Sequence, residues 1–167
     1  MPVTTSPVFR AVVGAGERLL RSRTLVRAPI LVYRLGLGRV FGSRMLLLEH
    51  TGRRSGLRRE VVLEVVGRPA GDRYVVVSGF GGRAQWFRNV RADPNVRVSV
   101  SGDRALPATA RALEASEARY VLAGYVERHR RAWAWFGPVL ERTLGGPIEP
   151  GGAPPPMVEL RLRPPGR

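Results

Sequence analysis

The stretch Thr51-Gly52-Arg53-Arg54-Ser55-Gly56-Leu57-Arg58-Arg59 gathers the side chains best suited to hold an anion. Its four guanidinium groups offer forked donors that match phosphate or carboxylate. Thr51 and Ser55 add hydroxyls. Gly52 and Gly56 let the backbone approach a ligand, and bare N–H groups in such a turn form an anion-binding concavity. The competing reading is a solvated, arginine-rich edge, because a charge cluster by itself reports solubility and non-specific attraction. Composition leaves the two open. A second stretch, Ser78-Gly79-Phe80-Gly81-Gly82, is a glycine-rich loop that follows an apolar strand. Trp86 and Asn89 come next, at i and i+3 on one helical face; for Trp86 the alternative to a ligand contact is burial in the core.

Other chemistry is excluded by what the chain lacks. Without cysteine there is no disulfide, no thiol nucleophile and no Cys-ligated metal. The two histidines, His50 and His129, are far apart in sequence, so no metal site is expected. No paired carboxylates and no Ser-His-Asp set are readable. The net charge of +15 implies attraction to something acidic: nucleic acid, an anionic membrane surface or a polyanionic small molecule. Every basic side chain is arginine and none is lysine. A coding bias toward G and C explains that pattern, so the arginine count carries little weight. The strand faces show no stacking array of aromatics, which argues against specific nucleic-acid binding. No apolar run approaches a membrane span and no secretory signal is visible, so a cytoplasmic protein is expected.

The elements that must position these residues follow from hydrophobic periodicity. Met45 to Leu48 is a short apolar run, and in the next run Val61, Leu63 and Val65 alternate with Glu60, Val62 and Glu64. The two read as a β-hairpin with the arginines at its tip. Arg73 to Ser78 is a buried strand. Ala84 to Ala92 is helical and stops at Asp93-Pro94. Asn95 to Ser101 alternates, and Arg104 to Leu113 returns after a Gly102-Asp103 turn, with Pro107 marking an edge or bulge. Glu114 to Phe136 is the longest helical stretch, acidic at its start and basic at its end. Met157 to Leu162 alternates as a closing strand.

Upstream, Ser6-Pro7 is a helix start. Val12-Val13-Gly14-Ala15-Gly16 mimics a dinucleotide fingerprint but fails, with Leu19 where the third glycine belongs. Pro29 to Gly42 is basic and apolar. It fits a helix packed across the barrel or a segment lying on an anionic membrane surface. A chain of 167 residues suits one domain. It divides into an N-terminal helical segment over 1–42, strands over 44–113, helices over 114–145 and a closing strand over 157–163. No βαβ alternation occurs, so a small antiparallel barrel with helices outside is expected.

Three blocks in register, HTGRRSGLRR, YVVVSGFGG and QWFRNVRADPNVRVSV, resemble the deazaflavin-dependent nitroreductase family. They cover roughly Leu46 to Leu113, with weaker echoes in RLGLGRVFG and in the last strand. The resemblance implies an α+β, mainly β fold, a split antiparallel β-barrel like that of flavin reductases. It implies 8-hydroxy-5-deazaflavin (coenzyme F-420) as cofactor and hydride transfer to a quinone, a nitroaromatic or an activated alkene. It assigns the cofactor's phosphodiester and glutamate tail to Arg53, Arg54, Ser55 and Arg59. Family members commonly have proline where Arg58 stands, so Arg58 is an extra charge. The ring falls to backbone N–H groups of Ser78, Gly79 and Gly81, with Trp86 packing and Asn89 bonding nearby. Tyr125 and His129 are candidate proton donors, and no metal is implied. The later helix, with Tyr120, Tyr125, His129, Trp133 and Trp135, would line an acceptor pocket that differs from the family's usual tyrosines.

The expected partner is a small-molecule hydride acceptor, with no specific nucleic acid. Peripheral contact with an anionic membrane at its inner face is a further expectation, for a monomer or homodimer. The alternative function is a non-catalytic split-barrel protein that binds FMN, haem or a lipid-like ligand.

Overall fold

Two apolar runs separated by a turn become the first two strands of a closed barrel. The computed structural model describes Ile30, Arg39 and residues 42–148 and 152–163. The readings at Ser6-Pro7, at Val12 to Gly16 and over nearly all of Pro29 to Gly42 lie outside the described residues. Strand β1 spans Met45–Thr51 and β2 spans Arg58–Ala70. They pair antiparallel from Thr51 opposite Arg58 to Met45 opposite Glu64. Then follow β3 (Arg73–Val77), helix α1 (Gln85–Ala92), β4 (Asn95–Val100) and β5 (Asp103–Ala112). Helices α2 (Ala115–Arg128) and α3 (Arg130–Leu144) precede the last strand, β6 (Met157–Leu162).

The six strands close in the order β1-β2-β3-β6-β5-β4, with every pair antiparallel. β6 closes the ring by pairing with both β3 and β5. The expected antiparallel barrel with helices packed outside is therefore the fold observed. Alternation sorts the side chains: Leu46, Leu48, Leu63, Val76, Val98 and Leu160 fill the interior. Trp86, Phe87 and Val90 of α1 join that interior cluster. A second cluster forms on the outer face, where Val66, Val75, Val77 and Met157 meet Leu122, Tyr125 and Leu140 from α2 and α3.

The single helical stretch read from Glu114 to Phe136 is in fact two helices, and the second runs on to Leu144. His129 separates them, with φ −128° and ψ 45°, serving as the last cap of α2 and the first of α3. The break lets α3 turn its Leu140 into the outer cluster. α2 begins with a capping box in which Glu114 and Glu117 exchange bonds with each other's backbone. Gly145 ends α3 in the left-handed conformation.

Candidate functional site

The hairpin tip is a tight, self-bonded turn. Gly52 N–H donates to Leu57 O at 2.8 Å, and Gly56 N–H donates to Gly52 O at 2.7 Å. Gly56 has φ +65°, where a side chain is strained. A Cβ on Gly52 would lie 2.7 Å from Ser55 Oγ and 3.3 Å from Leu57 O, so a side chain there would push the Ser55 hydroxyl out of the turn. The two glycines thus shape the turn itself, beside the closeness to a ligand expected of them. Ser55 Oγ also accepts from Leu57 N–H at 3.3 Å.

The four arginines of the tip, all exposed, have separate fates. Arg53 is a strut: its Nη1 donates to Gln85 Oε1 and to Asn89 Oδ1, each at 2.9 Å, tying the tip to α1. Its backbone N–H also reaches Asn89 Oδ1, at 3.2 Å. Arg58 lies 2.9 Å from Glu49 Oε2, an ion pair that neutralises the extra charge. That contact lacks hydrogen-bond alignment, and Glu49 Oε2 has no other partner among the described residues. Arg54 and Arg59 have no ion pair or side-chain hydrogen bond among the described residues. Their two guanidinium groups remain available to an anion.

Asn89 is the hub beneath the tip. Its Oδ1 takes both Arg53 donors, so its Nδ2 faces His50 Nδ1 at 3.2 Å. That contact requires an unprotonated His50 Nδ1. Burial lowers the His50 pKa below its ordinary 6.5, and the Arg59 charge pushes the same way, against a backbone bond with Thr51. The amide oxygen is thus spent on Arg53, and one of the two Nδ2 hydrogens on His50. Trp86 is 9% exposed and belongs to the barrel's interior cluster, edge-on to Phe87. Both residues underlie the site, in core and anchoring positions.

The bend after β3 is partly used as well. Ser78 is fully buried; its N–H donates to Pro156 O at 2.8 Å and its hydroxyl to Gly81 O at 2.7 Å. Gly81 N–H donates back to Ser78 O at 3.0 Å. The expectation that Ser78 and Gly81 offer N–H groups outward is therefore corrected: Ser78 spends its N–H on Pro156 O, and Gly81 spends its own within the bend. Gly79 N–H has no partner among the described residues. Leu140 and Leu144 of α3 approach Gly79 and Gly81, and Phe80 stays 44% exposed.

Tyr125 and His129 lie at the other end of the β1–β2 ladder, roughly 20 Å from the tip by the usual strand rise. There a cavity of about 730 Å³ opens between β2 and α2. Its lining includes Arg44, Glu64, Tyr120, Tyr125, Arg128 and His129. The Tyr125 hydroxyl donates to Glu64 Oε1 at 2.7 Å. Burial above all raises the Tyr125 pKa, and the Glu64 bond and charge add to it, against the Arg44 charge. As a proton donor it is therefore hindered, whereas His129 is exposed on the cavity wall. The cavity is not remote from the bend. The register Val65 opposite Val76 sets Glu64 beside Val77, only two residues before Gly79.

Sequence reasoning missed Glu64, Gln85, His50 and Arg44. Glu64 carried one signal: it is a carboxylate set between Val62 and Val66 on its strand face. No metal-binding cluster exists among the described residues. No helix among them is long and apolar enough to cross a membrane.

A family model described as F420H(2)-dependent quinone reductase matches residues 30–142. A solved structure of an F420-H2 dependent reductase (FDR-A) is 27% identical, with a TM-score of 0.50, covering 71% of this chain and 94% of that one. A domain-swapped dimer is 23% identical at TM-score 0.50, over 80% of this chain and all of that one (100%). A protein of unknown function from Agrobacterium tumefaciens str. C58 is 18% identical at TM-score 0.52, over 81% of this chain and 55% of that one. No curated protein matches the sequence.

Proposed function

The chain belongs to the F420H(2)-dependent quinone reductase family, and from that premise we propose that it reduces a quinone held in the Glu64–Tyr125 cavity. It is an oxidoreductase that depends on coenzyme F-420. The observation that carries the residue-level reading is the pair of unpartnered guanidinium groups on Arg54 and Arg59, beside two arginines already spent. A phosphodiester and carboxylate tail suits such a pair, because charge-assisted bonds are the strong ones. Ser55 stands between them in the turn. The Gly79 N–H suits a ring carbonyl, so the residues present fit the group.

The reduced deazaflavin, when bound, supplies the hydride. The protein supplies placement and exclusion of water. Arg54 and Arg59 fix one end of an extended ligand. Arg53, Gln85 and Asn89 hold the tip rigidly against α1, so that anchoring at the tip sets the position of the other end. The bend, backed by Leu140 and Leu144, shields the ring side. The acceptor enters beside Glu64 and Tyr125, where His129 or solvent delivers the proton that completes reduction. Nitroaromatics and activated alkenes are alternative acceptors for the same cavity. Peripheral docking on an anionic membrane would suit a lipid-soluble acceptor; absence of co-sedimentation with anionic liposomes would remove that element.

The test is direct. Reduced cofactor is mixed with protein and a quinone, and its oxidation is followed spectroscopically against a nitroaromatic and an unsaturated lipid. Turnover fastest with the quinone supports the reading. Cofactor that binds but is never oxidised by any of the three would favour a non-catalytic binder instead.

A further inference from the structure

We propose that Glu64 makes this cavity selective for an uncharged quinone that carries a hydroxyl donor. The inference rests on the cavity being the acceptor's, and it adds the chemical class of acceptor.

Tyr125 spends its hydroxyl proton on Glu64 Oε1. What faces the cavity from this pair is therefore acceptor capacity: the phenol oxygen's lone pairs and the second carboxylate oxygen, Oε2. No described residue bonds that second oxygen. Glu64 is half-buried on the cavity wall, so water solvates that oxygen until a ligand donor takes its place. A ligand hydroxyl or N–H satisfies it.

The rest of the wall sets the other limits. Arg44, Arg68, Arg128 and His129 share the lining, with Glu127 as a second acid; Arg68 is engaged by Gly71 O and the Tyr74 ring. Arg44, Arg128 and His129 can donate to a carbonyl oxygen. The mixture of signs gives little advantage to a ligand with a net charge. Val121 and the exposed Tyr120 ring provide apolar surface for a flat ring. The complement to this wall is a neutral ring with carbonyl acceptors on one part and a hydroxyl donor on another.

A matched ligand pair tests this: a benzoquinone with a hydroxyalkyl side chain, and its methyl ether. The two share a ring and differ in the donor. Trp133 lies 6.4 Å from the Tyr125 ring, so quenching of tryptophan fluorescence reads binding in the protein without cofactor. The wild type should bind the alcohol roughly tenfold or more tightly than the ether, the worth of one hydrogen bond to a charged group. Glu64→Gln keeps an oxygen for Tyr125 but turns an N–H toward the cavity, and should bring the two affinities within about twofold. Tyr125→Phe should keep the alcohol's advantage. With the loaded enzyme, the difference should fall in KM and not in kcat.

Equal affinities in the wild type, no saturable quenching by either quinone, or a preference that survives Glu64→Gln overturns the proposal. If Glu64→Gln fails to fold, the ligand pair on the wild type decides alone. Discrimination by quenching without any oxidation of reduced cofactor would support this selectivity and sink the enzymatic assignment, so the two failures are distinguishable.

Discussion

The two ends of the β1–β2 ladder differ in almost every physical respect. At the tip, charges stand in solvent and the polar bonds are struts: Arg53 to Gln85 and Asn89, Arg58 to Glu49. At the far end, a buried tyrosine and a carboxylate meet inside an aromatic cluster of Tyr125, Trp133 and Phe136. The tip can gain from a multiply charged ligand, because Arg54 and Arg59 have no ion pair or side-chain hydrogen bond among the described residues to give up. The far end offers a half-buried carboxylate oxygen, to which a neutral ligand's hydroxyl can donate a charge-assisted bond. The proposed function separates anchoring from selection along this one hairpin.

The largest expected effect breaks the anchoring end. Replacing Arg54 and Arg59 together with alanine should weaken cofactor binding by about a hundredfold or more, from two charge-assisted bonds. Fluorescence titration checks this, with Arg161→Ala as the control for lost net charge. Equal weakening by the control would reduce the tip to a non-specific basic surface.

Removing the hub comes next. Asn89→Ala strips Arg53 of two contacts and leaves His50 Nδ1 without its partner. Stability should fall by about 2–3 kcal/mol in urea denaturation. Cofactor affinity should fall by about tenfold, because the tip loses its strut. A loss of affinity without loss of stability would instead place Asn89 in direct contact with the ligand.

A smaller effect concerns pH. Burial lowers the His50 pKa in the folded protein. As pH falls, the unfolded chain therefore takes up this proton first. The contribution to stability is complete above about 6.5 and shrinks as pH drops below that value toward the folded pKa. Thermal unfolding at several pH values should show this slope, and His50→Gln should flatten it. A slope unchanged in that variant would assign the effect to other groups.

The smallest effect is at Arg58. Its side chain is 63% exposed, so solvent screens the pair with Glu49. Arg58→Ala should alter stability by about 1 kcal/mol or less and leave cofactor affinity within about twofold. A large loss of affinity would return Arg58 to the binding set.

Much of the barrel was legible because its strands obey a period of two. Val61, Leu63 and Val65 do face inward, and Met157 to Leu162 does close the ring. The tip was legible as a turn from Gly52 and Gly56. What the tip's arginines do was not, because Arg53 finds its partners 32 and 36 residues away on α1. Local pattern carries no information about such a pairing. The bend illustrates the same limit: its glycines are visible in sequence, but Ser78 donates to Pro156, far along the chain. The His129 break was hidden because Arg128 to Arg131 is compatible with continued helix. Glu64 escaped notice because it occupies an alternating strand position where a solvated acid is ordinary. Its meaning depends on α2 laying Tyr125 over it.

Cutting the ligand and the tip in turn tests the division between the two ends most directly. Affinity is measured for the whole cofactor and for its deazaflavin core without the phosphodiester and glutamate tail, on the wild type and on the Arg54→Ala, Arg59→Ala double variant. Removal of the tail should weaken binding to the wild type strongly and to the double variant hardly at all. Equal losses in both proteins would contradict a tip that holds the tail.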